Sequence, residues 1–254
     1  MIQGLIGMIH LGPLPGSPRA VPLHDTISRA VSDAVSLVDA GFDALMIENF
    51  GDAPYFPNDV PKVTIATVTR AVAAVADNVA VPIGVNVLRN DGLGAVAVAA
   101  ATGARFIRIN VLSGSMSTDQ GPIDGHAAEV ARLKHTLAPG IEVLADVMVK
   151  HATPPPGLTL EQAAADLWER AGADGIIVSG AGTGRALDPT DLATVRAAVP
   201  GAPLYAGSGV TEDTVADILG VCVGAIVGTA TKVDGITTNR VDPERAKAIV
   251  KAAK

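Results

Sequence analysis

Eight short runs of β-branched and aliphatic residues punctuate the chain, at 5–11, 44–49, 82–88, 106–111, 142–148, 175–180, 203–209 and 224–229. Consecutive runs begin 21 to 39 residues apart, and each gap holds a stretch with helical rather than alternating periodicity. Strand and helix alternating in this way imply parallel strands joined by crossover helices. Eight units with no linker between them favour closure into a single (β/α)8 TIM barrel over an open doubly wound sheet. The turn after the first run agrees, because residues 12–18 (Gly-Pro-Leu-Pro-Gly-Ser-Pro) are too proline-rich for a dinucleotide-binding glycine turn. One barrel domain spanning 1–254 is the expected organisation, and 48% hydrophobic residues suffice for one sizeable core.

Local signals support the count. Thr159 precedes Gln162 at capping-box spacing, and Asp188-Pro189 and Asp242-Pro243 each set an N-cap carboxylate before a proline suited to the first helical turn. Ile27, Ala30, Val31, Ala34, Leu37 and Val38 form one face of the first helix, with Gly41 placed for a left-handed cap. The junction is reused: residues 40–44 (Ala-Gly-Phe-Asp-Ala), 102–106 (Thr-Gly-Ala-Arg-Phe) and 171–175 (Ala-Gly-Ala-Asp-Gly) each close a helix and open a strand.

Composition excludes several functions. With one Trp, two Tyr and four Phe, stacking platforms for nucleic acid are not expected, and a net charge of −7 offers no basic stripe for a polyanion. Single phosphorylated metabolites remain open, since backbone amides bind them. Cys222 is the only cysteine, which excludes an intrachain disulfide or a thiolate-rich zinc site and favours a cytoplasmic location. The longest small or apolar stretch, 94–101, is far below the roughly 20 residues of a membrane span, and the first residues lack an export-signal pattern.

In a barrel, chemistry sits at the carboxyl ends of the strands, and alternation tells which side chains face the axis. His10 shares parity with Ile6 and Met8, Glu48 with Met46, Arg108 and Asn110 with Phe106, and Asp146 with Leu144; Asn86 joins them from the third run. Each alone is readable as a strand-end residue satisfied by solvent. Together they form a substrate-facing cluster, because burying Glu48 and Asp146 near Arg108 costs desolvation unless they pair or bind something. Glu48 and Asp146 are candidates for general acid and base, and His10 for a proton shuttle near neutral pH. Lys150 is a Schiff-base nucleophile or, as the reading favoured here, a charge clamp, because no marked apolar surround is evident to depress its pKa. Asn86, Arg108 and Asn110 would orient hydroxyls or stabilise an oxyanion. No metal-ligand spacing unites His10, Glu48, Asp146 and His151, so neither a protein-only metal site nor a cofactor is expected; a divalent ion shared with a substrate phosphate stays open.

Glycine marks the anion side. Residues 206–209 (Ala-Gly-Ser-Gly) lead through Val210-Thr211 to a helix expected to begin at Glu212-Asp213, and the eighth run ends in residues 227–231 (Val-Gly-Thr-Ala-Thr). Barrels bind phosphate at these two places. Gly207, Gly209 and Gly228 would bring backbone amides to the anion, Ser208, Thr229 and Thr231 would add hydroxyls, and Lys232 would add charge. The bland alternative is two tight turns. Residues 179–184 (Ser-Gly-Ala-Gly-Thr-Gly) lack the Lys-Ser/Thr ending of a P-loop and read as a flexible loop offering Ser179 and Thr183 to substrate. The long stretch 112–126 reads as a lid, with Asp119 in its Thr118-Asp-Gln-Gly121 tip.

In order along the chain, residues 7–18, 47–52, 86–91, 108–110, 118–121, 146–151 and 227–229 resemble the BtpA family, known from a factor required for photosystem I biogenesis and including SgcQ-type proteins. The resemblance covers nearly the whole chain and implies a ribulose-phosphate-binding type of barrel. It supplies no reaction. Two functions of different class therefore stand. One is an enzyme acting on a small phosphorylated substrate, a sugar phosphate or nucleotide-like, as isomerase, lyase or glycosidic-bond-cleaving enzyme. The other is a non-catalytic assembly factor, which predicts an uncovered apolar helix face. Ala- and Val-rich helices would also suit a homo-oligomer.

Overall fold

The computed structural model describes residues 1–180 and 187–254. Eight parallel strands close into a barrel: β1 (Gly4–His10), β2 (Ala44–Glu48), β3 (Ile83–Asn86), β4 (Phe106–Ile109), β7 (Glu142–Asp146), β9 (Gly175–Val178), β10 (Leu204–Ala206) and β11 (Gly224–Val227). Around the ring the order is β1-β11-β10-β9-β7-β4-β3-β2, so chain order is kept and β11 pairs back onto β1. All eight predicted runs hold a strand. The observed strands stop one to three residues short of most runs' carboxyl ends, and those residues turn into the loops of the active face.

Register and parity fill the barrel as alternation predicts. Ile6, Met8, Met46, Phe106, Leu144, Ile177, Tyr205 and Ile226 form one interior cluster. Two of the few aromatics carry much of its volume, and glycines on neighbouring strands give them room. A Cβ on Gly84 would enter the Phe106 ring, one on Gly175 would lie 2.5 Å from Tyr205 Cε2, and one on Gly224 would lie 2.9 Å from Tyr205 Cδ1. The Tyr205 hydroxyl donates to the Ile2 carbonyl at 2.6 Å, satisfying the polar end of a fully buried ring at the barrel's amino-terminal end. The opposite strand faces pack against the helices α1 (Leu23–Ala40), α2 (Lys62–Ala76), α3 (Gly92–Thr102), α4 (Ala127–Leu137), α5 (Leu160–Ala165), α6 (Pro189–Ala198), α7 (Val215–Leu219) and α8 (Pro243–Ala252).

The helix boundaries follow the expected chemistry. Thr159 accepts from Gln162 N, Asp188 from Thr190 N, and Asp242 from both Glu244 N and Arg245 N. Gly41 caps α1 at φ 106°, where any side chain would be strained. One start differs: α7 begins at Val215 rather than at Glu212-Asp213, because Thr214 Oγ1 accepts the Thr211 amide and a turn occupies the intervening residues. Among the described residues no helix is long and apolar enough to cross a membrane.

The insertion after β4 is a hairpin, β5 (Ser115–Thr118) and β6 (Gly121–Asp124), joined by β8 (Ala152–Thr153) into a three-stranded antiparallel sheet. Its tip is the expected lid tip. The third strand was not legible, because two residues leave no periodicity to read.

Candidate functional site

A cavity of about 870 Å³ opens at the carboxyl ends of the strands. Its wall includes His10, Glu48, Arg108, Asn110, Asp119, Lys150, Gly207, Ser208, Gly209, Gly228 and Thr229, so eleven of the predicted site residues share one space. Asn86 and Asp146 stand behind this surface and bond to Arg108 and Asn110, which form it, and Ser179 bonds to Asp146. Thr183 lies outside the described residues.

The floor is a hydrogen-bonded polar layer directly above the Phe106 and Leu144 side chains. Arg108 donates to Asp146 through Nε to Oδ2 and through Nη2 to Oδ1, both at 2.8 Å. Asn110 Nδ2 also donates to Oδ2 at 3.2 Å, and Ser179 Oγ donates to Oδ1 at 3.0 Å. Asn86 Nδ2 donates to the Arg108 carbonyl at 3.0 Å and to Asn110 Oδ1 at 3.2 Å. With both oxygens of Asp146 engaged, this network holds Arg108 in one orientation and burial raises no uncompensated charge.

Glu48 differs. Only 7% exposed and facing the same cavity, its carboxylate has no hydrogen-bond or ion-pair partner among the described residues. Burial pushes its pKa up, against the opposing pull of Arg108, Lys150 and Arg89. Glu48, on the cavity wall, and Asp146, behind it, thus have unlike environments.

His10 is an edge-to-face neighbour of Phe50, with ring centroids 4.9 Å apart, and its buried Nδ1 has no partner among the described residues. Burial holds its pKa well below the usual histidine value, and Lys232, Lys150, Arg29 and Arg108 push the same way. Burial thus disfavours the charged imidazole, which argues for a hydrogen-bonding role over the expected proton shuttle near neutral pH. Lys150 is corrected in the other direction. Burial, then Arg108, lower its pKa to about 8, although no apolar sequence surround announced this. Its environment comes from distant strands.

The glycine side is also revised in detail. Gly207 N donates to the Val178 carbonyl at 2.8 Å, so that amide is not offered to a ligand; a Cβ there would collide with Ser179 Oγ and Ile177, which makes its role one of space. Gly209, at φ 70°, turns the chain along the cavity wall. Ser208 Oγ accepts the Gly180 amide at 2.9 Å, tying the loop after β10 to the one after β9. Thr229 Oγ1 lies 2.9 Å from Thr237 Oγ1. Thr231 turns inward and donates to the Gly228 carbonyl. Lys232 does not add charge to this side: it is fully buried, donates to the Met8 carbonyl at 3.1 Å, and pairs with Asp33 at 3.5 Å. It ties α1 to the barrel.

Among the cavity residues that escaped the sequence reading are Phe50, Tyr55 and Arg89. All lie beyond strand ends, where parity no longer reports direction. Tyr55 donates to the Phe50 carbonyl at 2.7 Å. Among the described residues no group of three or more His, Cys, Asp or Glu side chains is placed to hold a metal ion.

The ring of parallel strands, the helical cover and a polar cavity at the strands' carboxyl ends define a TIM-barrel protein. Within that class the chain belongs to the BtpA family, whose model matches residues 1–254. It is 47% identical to an uncharacterized protein of Thermococcus kodakarensis, covering 98% of this chain and 95% of that one. It is 41% identical to the photosystem I biogenesis protein BtpA of Synechocystis, covering 98% and 87%, and 30% identical to the putative sgc region protein SgcQ of Escherichia coli, covering 96% and 91%. Among solved structures, Mycobacterium tuberculosis tryptophan synthase superposes with TM-score 0.63 at 19% identity, covering 99% of this chain and 91% of that one. The N-acetylmannosamine-6-phosphate 2-epimerase of Clostridium perfringens does so with TM-score 0.58 at 16% identity, covering 90% and 88%. At these identities the likeness is one of fold.

Proposed function

We propose that this chain is an enzyme acting on a small phosphorylated substrate, a sugar phosphate or nucleotide-like compound, by acid–base chemistry. The observation that carries this reading is Glu48, a buried, partnerless carboxylate facing a substrate-sized cavity beside a second carboxylate that Arg108 already holds. Retaining such a group costs stability, and its raised pKa makes it a readier proton carrier than an ordinary exposed carboxylate. Glu48 is the acid–base residue. Asp146 fixes Arg108, which with Asn110 faces a developing oxyanion, and Lys150 clamps charge. His10 supplies a hydrogen-bonding imidazole whose charged form burial disfavours. The loops Gly207-Ser208-Gly209 and Gly228-Thr229 face the phosphate, a role supported by their position after β10 and β11. The epimerase with the same fold, whose name includes a 6-phosphate, agrees in substrate class.

An assembly role requires an uncovered helix face. Among the described residues the large exposed apolar side chains on helices are Val35, Val63 and Leu137, one each on α1, α2 and α4, so no helix presents an apolar stripe.

Thermal-shift screening against sugar phosphates, nucleotides and inorganic phosphate tests the reading, since specific binding stabilises by mass action. We expect a phosphorylated hit that disappears in Ser208→Asp, and turnover of that compound that disappears in Glu48→Gln. Turnover undiminished in Glu48→Gln overturns the assignment.

A further inference from the structure

The cavity has a second cationic pole that the acid–base reading does not use. Arg89, seven per cent exposed, lies just past β3 on the cavity wall. Its Nη2 donates to the Lys150 carbonyl at 2.6 Å, which brings the two basic residues to the same side. A guanidinium has five N–H donors. Among the described residues the bond to Lys150 is the one hydrogen bond the Arg89 side chain makes, and Arg89 lines the cavity. Among the described residues no carboxylate lies within ion-pair distance of Arg89 or Lys150, whereas Arg108 beside them has Asp146. A buried cation of this kind is costly unless an anion completes it.

The ring order fixes where this pole stands. β3 and β10 are four places apart in a ring of eight, and so diametrically opposite. Arg89 therefore faces the Gly207-Ser208-Gly209 loop across the cavity, with Glu48 and the Arg108–Asp146 pair on the floor between. Mutual repulsion among Arg89, Arg108 and Lys150 adds to burial in depressing Lys150, and an anion there would relieve it.

We propose that Arg89 and Lys150 form a second anion subsite, so that the substrate is a small compound anionic at both ends: phosphate at the glycine loops and a carboxylate or second phosphate at Arg89. This rests on the phosphate reading of those loops. A planar fork matches either oxyanion. Such a substrate would be stretched across the floor, its central carbons presented to Glu48.

Calorimetric titration of the full chain with three six-carbon probes tests this: glucitol 6-phosphate, 6-phosphogluconate and glucitol 1,6-bisphosphate. At least one doubly anionic probe should bind about ten- to a hundredfold tighter than glucitol 6-phosphate, and which one identifies the second group as carboxylate or phosphate. Arg89→Gln should erase that excess while leaving glucitol 6-phosphate within about twofold, and Lys150→Met should reduce it. Equal affinities for all three probes overturn the second subsite but leave the phosphate reading standing. Binding of none overturns both. An excess that survives Arg89→Gln overturns the placement. Should Arg89→Gln also lose glucitol 6-phosphate through loosening of the Lys150 segment, Arg89→Lys decides. It keeps the charge and loses the fork, so a partly reduced excess supports the subsite and an undiminished one overturns it.

Discussion

Arg108 grips Asp146 through two parallel hydrogen bonds of 2.8 Å across the cavity floor, the guanidinium 4% exposed and the carboxylate fully buried. The two residues come from adjacent strands of the ring, β4 and β7, one residue layer apart, since Arg108 registers with Leu144. That offset lets the fork meet the carboxylate end-on.

Breaking this pair from one side leaves a buried charge uncompensated. Asp146→Leu should destabilise the fold by about 3–5 kcal/mol, and the double variant Arg108→Met with Asp146→Leu by clearly less than the sum of the two single variants. Urea unfolding of all four proteins measures the coupling. Additive losses would show that the pair is not a unit.

Glu48 sets a pH dependence whose sign is fixed. Its folded pKa is raised above the unfolded value, so the native state holds its proton longer; the associated stability is present at low pH and lost as pH rises through the folded pKa. Glu48→Gln keeps the shape without the charge. It should be more stable than the parent at neutral pH, with the advantage shrinking toward pH 4.5, followed by melting temperature against pH.

Lys150 should show the complementary window. With its folded pKa lowered to about 8 from 10.5, the unfolded chain binds the extra proton between those values. Stability contributed at this residue therefore rises with pH from 8 to 10.5. Compared with Lys150→Met, the parent should gain stability across that interval, while Lys232, present in both proteins, cancels. A flat difference curve would contradict the depressed pKa.

Interior packing predicts a size limit at Gly84, where a Cβ meets the Phe106 ring. Gly84→Ala should cost about 1–3 kcal/mol by overpacking, and Phe106→Leu in that background should return part of it. Chemical denaturation measures both. If Phe106→Leu only adds to the loss, the collision is not the cause.

Legibility in the sequence ended where the strands ended. His10, Glu48, Asn86, Arg108 and Asp146 were found because strand alternation, set by residues such as Met8, Met46 and Leu144, carries direction up to the last ladder position. Arg89, Phe50 and Tyr55 lie in loops beyond that point, and no period reports where a loop side chain turns. Lys232 shows the opposite failure. Its position beside a glycine loop suggested a phosphate contact, but Asp33, 199 residues away in sequence, draws it into the protein.

The sequence by itself determined the eight-fold alternation, the inward faces of the strands, the helix caps and the end of the barrel that holds the polar groups. These are local properties, governed by side-chain period and backbone capping. Only the tertiary structure decided which buried charges are paired. Asp146 is neutralised by Arg108, Lys232 by Asp33, while Glu48 and Arg89 are left facing a common cavity without a counter-ion among the described residues. Pairing depends on distances between residues on different strands and loops, and ring closure sets those distances. It is ring closure, too, that puts the loop after β3 opposite the loop after β10.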